Sequence, residues 1–285
     1  MSSRIAEVRN PVTPDDLASA TCLLSKTWRV YRISPLQKNY KDEAFIQNLI
    51  PSIQQHFQRN ATSLDDLQLQ LVLLHDMIYI DSFDYTIGFY LRFQYEGKSI
   101  ELRCCILAHI EDPSRDSLIL IKGRKDTRKV FLSWLEQYYD LFIDLSPRRY
   151  SPFQFAQFCD LAYHFNTASN AIASDENGEN ALLFVFSLPS TIDGLRRLSV
   201  KMSVSDLERI LLATRRKEEE EGGHVVLDVV KAQLQRVFSV DSDLCILEEI
   251  GSNTLVLTRD GRVKFFSVAP INPTLSLLSS VWSVC

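Results

Sequence analysis

Between residues 67 and 121 the apolar side chains recur at every second position, and this period constrains the fold more than any other feature of the sequence. A period of two places one face of a strand against a core. Glu96-Gly97, between two long alternating runs, is typical of a hairpin turn. The segment therefore predicts an antiparallel meander, and Ser117 to Ile121 supplies a further strand.

Apolar residues at helical spacing lie on both sides of this meander. Thr13-Pro14-Asp15-Asp16 predicts an N-terminal helix that runs to about Ser25, and residues 42–57 predict a second helix that Pro51 kinks or divides. Ser205-Asp206-Leu207-Glu208 predicts a capping box. Further helices are predicted over 125–145, 151–165, 205–221 and 224–240, and further strands over 28–33, 182–188, 195–202, 244–250, 254–258 and 262–268.

This order of elements predicts an α+β fold with mainly antiparallel pairing, because the regular strand and helix alternation of a parallel sheet is missing. A length of 285 residues is compatible with one compact domain and with two lobes that share a continuous sheet. The small, polar segment 166–181 is expected to be an exposed loop. It would divide the chain into an N-terminal lobe (1–165) and a C-terminal lobe (182–285).

Composition excludes several classes of function. A net charge of −5 argues against a protein coated in positive charge, although it leaves room for a local basic surface. The polar N-terminus and the charges that interrupt each apolar run predict a protein that is neither secreted nor membrane-spanning. The chain has no phosphate-binding glycine motif, and its five histidines lack metal-ligand spacing, so neither cofactor nor metal is expected.

Two residue groups could support catalysis, and each has a simpler interpretation. His75-Asp76, with Asp81 and Asp84 nearby, offers an imidazole and carboxylates, but acids at strand ends are common turn residues. Cys104-Cys105 with His109 offers a thiol, but a strand of Ile, Leu and Cys is not the electropositive setting that a thiolate needs. We therefore interpret Cys104 as a core residue and expect no enzyme.

Residues 23–36, Leu-Leu-Ser-Lys-Thr-Trp-Arg-Val-Tyr-Arg-Ile-Ser-Pro-Leu, resemble the opening of the centromere protein L family, subunits of the inner kinetochore. The shared pattern is L-L-x-K-x-W-x-x-Y-x-x-[ST]-P-L. The helix bearing Trp134, the aromatic helix around Phe155 and the terminal hairpin through Asp260-Gly261 are similar in order to the family's elements. The resemblance covers most of the chain and is specific in the first motif.

The resemblance implies a curved, mainly antiparallel sheet flanked by helices and a constitutive scaffold that pairs with centromere protein N. Family members dimerise through the carboxy-terminal sheet region, which here is the hairpin from Thr254 to Val268. Its alternating apolar residues could supply contacts at the seam, or they could face the chain's own core. Whether the chain forms a homodimer without its partner stays open. The expected interface residues are Leu255, Leu257, Val263 and Phe265.

The resemblance also implies that the protein is in the nucleus, at the kinetochore on the centromere of chromosomes, where it contacts other inner-kinetochore subunits. It further implies a positively charged channel that binds DNA. Two basic clumps could contribute to such a channel. The first falls at a strand-to-helix junction, where backbone N–H groups add to the attraction for phosphate. It comprises Lys122, Arg124, Lys125, Arg128 and Lys129, and the second comprises Arg196, Arg197 and Lys201 on a predicted hairpin.

Two other functions compete with this hypothesis. An unrelated soluble α+β interaction adaptor would neither bind DNA nor turn over a substrate. An enzyme using His75 with Asp76 or Asp81 would need a pocket that joins the imidazole to a carboxylate.

Overall fold

The computed structural model describes eleven stretches of the chain and residue 150. The predicted N-terminal helix as far as residue 22, the Glu96-Gly97 turn and the carboxylates of Asp76, Asp81 and Asp84 lie outside them. The described stretches are 23–34, 43–60, 70–75, 85–95, 98–108, 117–145, 152–170, 180–188, 196–215, 225–239 and 241–280.

The chain divides into two compact units, which we describe separately. Unit 1 comprises Met1–Ser146 and Leu275–Cys285, and unit 2 comprises Pro147–Thr274. The two units separate after residue 146, before the helix that starts at residue 152. The two lobes expected from the sequence, 1–165 and 182–285, separate after that helix.

Unit 1 is an antiparallel sheet with the order β2-β3-β4-β5-β1, on which two helices pack, and the short strand β6 pairs with the end of β1. The alternating runs form this sheet as predicted. Its elements in chain order are β1 (Thr27–Ile33), α1 (Glu43–Asn60), β2 (Gln70–His75), β3 (Tyr85–Tyr95), β4 (Lys98–Ala108), β5 (Ser117–Lys122), α2 (Lys125–Tyr139) and β6 (Ile143–Asp144).

One face of this sheet is the core of unit 1. Cys104 pairs with Ile121, and Ile106 pairs with Ile119, so these side chains share one face. They pack with Phe131 and the other apolar residues of α2 in a single buried cluster. Burial of this cluster supplies most of the stability of the unit.

The helices α1 and α2 run antiparallel along that face. The Trp134 indole N–H donates to the Ser52 hydroxyl at 3.0 Å, and His56 lies against the backbone of Val130. The contact nearer the end of α1 therefore meets the residue nearer the start of α2. Pro51 lies inside α1 without dividing it, so the expected division is wrong: α1 is one continuous helix from residue 43 to residue 60.

Unit 2 contains antiparallel strands in the order β8-β7-β9-β10-β11. The hairpin of β7 and β8 and the terminal strands form as predicted, and Gly261 adopts φ 77° in the turn between β10 and β11. Its elements are α3 (Pro152–Asn170), β7 (Ala181–Ser187), β8 (Arg197–Ser203), α4 (Val204–Arg215), α5 (Val225–Phe238), β9 (Ile246–Gly251), β10 (Leu255–Thr258) and β11 (Arg262–Phe265).

The helices of unit 2 differ from prediction in three places. The helix α3 continues to Asn170, so the first residues of the expected loop 166–181 are helical, and Asn166 is fully buried. The cap of α4 is Ser203 and not Ser205, because the Ser203 hydroxyl accepts the Asp206 N–H at 3.0 Å. A last helix, α6 (Ile271–Ser280), was not predicted, and the boundary between the units falls within it.

The α+β class and the antiparallel pairing flanked by helices are confirmed. Across the described elements, no helix is long and apolar enough to cross a membrane.

Candidate functional site

The first basic clump lies where β5 passes into α2. Four of its side chains are exposed, and Arg128 is partly buried. Gly123 connects the strand to the helix beside β4, where an added Cβ would lie in ordinary van der Waals contact with the Leu102 side chain, at 3.4 Å. The structure brings together at this junction all five cations that the sequence analysis selected: Lys122, Arg124, Lys125, Arg128 and Lys129.

The amino end of α2 adds to the positive potential of the junction. Arg124 occupies the N-cap position with an extended backbone (φ −64°, ψ 150°) and makes no side-chain cap hydrogen bond. Asp126 is the one acid in the first turn. Exposed N–H groups at a helix start carry partial positive charge, so the backbone and the cations favour anions together.

Strand register adds two arginines that the sequence analysis missed. Arg103 on β4 lies opposite Lys122, and Arg29 on β1 lies opposite Ile121. Successive residues of a strand point to opposite faces, so the two arginines flank the end of β5 from the two sides of the sheet. No spacing in the sequence reveals this, because residues 29, 103 and 122 are brought together only by the pairing of three strands.

Arg103 is held in place by its neighbours. Its guanidinium lies 4.9 Å from the centre of the Tyr90 ring and 3.5 Å from a Glu101 carboxylate oxygen. The Tyr90 hydroxyl donates to the other Glu101 oxygen at 2.7 Å. Glu101 therefore offsets the charge of Arg103, while no described residue forms an ion pair with Lys122. The group Tyr90, Glu101, Arg103 and Lys122 keeps a net positive charge on this face.

The second basic clump lies at β8 in unit 2: Arg196 directly precedes the strand, and Arg197 and Lys201 are part of it. Arg196, Arg197 and Lys201 are exposed there. Arg197 forms an ion pair of 3.2 Å with Glu249 on β9, which reduces its availability for phosphate. The first clump is therefore the stronger candidate for contact with nucleic acid.

The four residues expected at the partner interface are buried in the chain itself. Leu255, Leu257, Val263 and Phe265 are exposed by 2% or less. They alternate with more exposed residues because the hairpin follows the period of two. In the single chain these four side chains therefore face its own core, and their role at a partner interface stays a prediction.

The exposed side of the same hairpin carries an aromatic residue next to the buried one. Phe266 is 40% exposed, and the Lys264 ammonium lies 4.5 Å from the centre of its ring. Val268 is 47% exposed. Exposed apolar side chains that are near one another in the chain are compatible with a contact to another protein.

The groups considered for catalysis are not brought together among the described residues. His75 lies on β2 opposite Ile87, and its expected carboxylate partners and His109 lie outside the described stretches. Cys104 and Cys105 are buried, and burial raises the pKa of the Cys104 thiol well above its usual range, as expected for a core residue. No group of three or more metal-ligating side chains occurs in the described stretches.

Comparison with known proteins relates the carboxy-terminal part of the chain to one family. A family model described as centromere protein L matches residues 108–280, which is more than half of the chain. The matched range starts after the motif at residues 23–36, so the motif and the match are separate indications. No curated protein matches the chain.

Proposed function

The chain belongs to the centromere protein L family, and on this premise we propose that it is a non-enzymatic scaffold subunit of the inner kinetochore that pairs with centromere protein N. It would act in the nucleus, at centromeres, during chromosome segregation. The family match is the observation that carries this proposal, since fold alone does not identify a function.

The terminal hairpin supports the proposal of a partner surface. Its buried face fixes the hairpin in unit 2, and Phe266 and Val268 stay exposed beside it. An interface commonly depends on a few aromatic anchors surrounded by residues that contribute little. We therefore place the contact with centromere protein N at Phe266, Val268 and Lys264, and give Leu255, Leu257, Val263 and Phe265 a supporting role.

The β5–α2 junction supports a contribution to DNA binding by the pair. The junction concentrates cations in a protein whose net charge is −5, so its positive charge is local. A local positive surface favours binding of DNA at this one site over non-specific binding across the whole protein. We assign no base-reading role to any of these side chains. Binding would therefore be to the sugar-phosphate backbone and independent of sequence.

Pairing is tested by mixing the chain with the carboxy-terminal region of centromere protein N and measuring the mass of the product by light scattering. A one-to-one complex supports the proposal. The competing adaptor would show no association at micromolar concentration. DNA binding is tested on the complex by fluorescence anisotropy with a labelled duplex, and the proposal expects an affinity that falls steeply with salt.

A further inference from the structure

The connection between α2 and β6 presents an exposed phenylalanine. Phe142 is 71% exposed, more than any other large apolar side chain of the described stretches, although its neighbours Leu141 and Ile143 are buried. These neighbours fix the connection in unit 1 and leave the ring in solvent. Leu145, three residues further along the chain, is 49% exposed and adds apolar surface. Covering this surface with another molecule would remove it from water, which is favourable.

Hydrogen bonds hold the backbone of Phe142 in place. The Ser34 N–H donates to the Phe142 carbonyl at 2.9 Å, and the Phe142 N–H donates to the Ser34 hydroxyl at 3.0 Å. The next residue is fixed as well, since the Ile143 N–H donates to a Glu136 carboxylate oxygen at 3.2 Å. A fixed backbone lowers the entropy that binding costs, because only the side chain remains to be ordered.

The charge around Phe142 is negative. The last turn of α2 contains no basic residue, and its C-cap is Asp140, which is exposed and forms no ion pair with a described residue. Glu136 adds a second carboxylate, and the carbonyl groups at the end of a helix carry partial negative charge. Asp144 lies opposite Arg32 in the strand register, so its charge is opposed. The excess of negative charge therefore comes from Asp140, Glu136 and the helix end.

We propose that Phe142 and Asp140 form a docking site for a basic segment of another protein, in which an apolar residue lies next to lysine or arginine. The apolar residue would cover the ring, and the cation would lie near Asp140 and the end of α2. The same negative charges repel phosphate groups, so the ligand of this site is a protein segment and not a nucleic acid. The site belongs to unit 1, and it does not depend on pairing with centromere protein N or on DNA binding.

The experiment measures the binding of three fluorescent peptides of equal length to the whole chain by anisotropy. The first peptide contains lysine and leucine. In the second peptide serine replaces each leucine, and in the third peptide glutamate replaces each lysine. A site that needs both the ring and the negative charge should bind the first peptide and neither of the others.

Two variants remove the two parts of the site. Phe142→Ser removes the ring, and Asp140→Asn removes the charge while it keeps the left-handed backbone (φ 55°), which asparagine tolerates. The controls are Phe238→Ser and Asp243→Asn, which make the same changes at exposed positions of unit 2. Melting temperatures establish that each variant is folded.

We expect Phe142→Ser to weaken binding of the first peptide by about tenfold or more. Asp140→Asn should weaken it by about threefold at low salt and by less at high salt, because salt screens an exposed charge. Both controls should bind like the wild type. The inference is overturned if the wild type does not bind the first peptide, if it binds the second or third equally well, or if Phe142→Ser binds like Phe238→Ser.

The chain itself offers another occupant for this site. Arg148 and Arg149 follow it closely in the sequence and lie outside the described stretches. If they occupy the site, the wild type will not bind the first peptide, and a variant with both arginines replaced by glutamine will bind it. That result would overturn the proposal of a separate partner, whereas similar binding by the wild type and this variant would support it.

Discussion

Two adjacent phenylalanines at the end of β11 separate the fold of the hairpin from its proposed role in pairing. Phe265 is fully buried, whereas Phe266 is 40% exposed. Substituting each by alanine removes the same atoms from neighbouring positions. Phe265→Ala should therefore weaken the fold strongly and leave the partner surface in place, whereas Phe266→Ala should weaken the fold less and remove an anchor of the partner surface.

The sizes of the two effects follow from burial. Truncating a buried phenylalanine costs about 3–5 kcal/mol, which lowers the melting temperature by roughly 6–20 °C at about 2–4 °C per kcal/mol. The partial burial of Phe266 and its contact with Lys264 together contribute about 1–2.5 kcal/mol to the free energy of unfolding. If Phe266 is an anchor of the interface, its loss should weaken partner binding by about 2 kcal/mol, or roughly 30-fold.

The assay combines thermal unfolding, followed by tryptophan fluorescence, with calorimetric titration of centromere protein N at about 15 °C, near the usual temperature of maximum stability. Both variants should be folded at that temperature. We expect Phe266→Ala to bind at least about tenfold more weakly than the wild type, and Phe265→Ala to bind nearly normally. Wild-type affinity of Phe266→Ala, with its fold intact, would refute the placement of the interface.

Three further predictions concern the fold. Ser203→Ala should lower the stability of the chain by about 1 kcal/mol because it removes the cap of α4, whereas Ser205→Ala should change it by less than about 0.5 kcal/mol; urea titration distinguishes them. Tyr150→Phe should stabilise the chain by about 1 kcal/mol, because the buried hydroxyl has no acceptor among the described residues, and a lower melting temperature would show a hidden partner. Cys104 and Cys159, whose thiol pKa values burial raises, should resist alkylation under mildly alkaline conditions until the chain unfolds, as mass spectrometry of labelled peptides would show.

Local patterns predicted most of the secondary structure. The period of two predicted β3 and β4, whereas β5 is a continuous run whose residues from Ser117 to Ile121 are all buried. The aromatic stripe of Phe155 and Phe158 correctly marked a core helix. The predicted cap of α4, Ser205, lies two residues after the actual cap, Ser203. Both serines lie three residues before an acidic residue, and only the hydrogen bond from the Asp206 N–H to the Ser203 hydroxyl distinguishes them.

The candidate site was predictable in part. The five cations of the β5–α2 junction are near one another in sequence, so their clustering could be read directly. Arg29 and Arg103 could not be found in this way, because their place depends on strand register. The four apolar residues of the terminal hairpin had two interpretations, and alternation alone does not say whether a partner or the chain's own core covers them.

The mass of the complex formed with the carboxy-terminal region of centromere protein N tests the central proposal most directly. Size-exclusion chromatography with light scattering, at micromolar concentration, should give one copy of each chain. Two separate peaks at the masses of the individual chains would contradict the pairing.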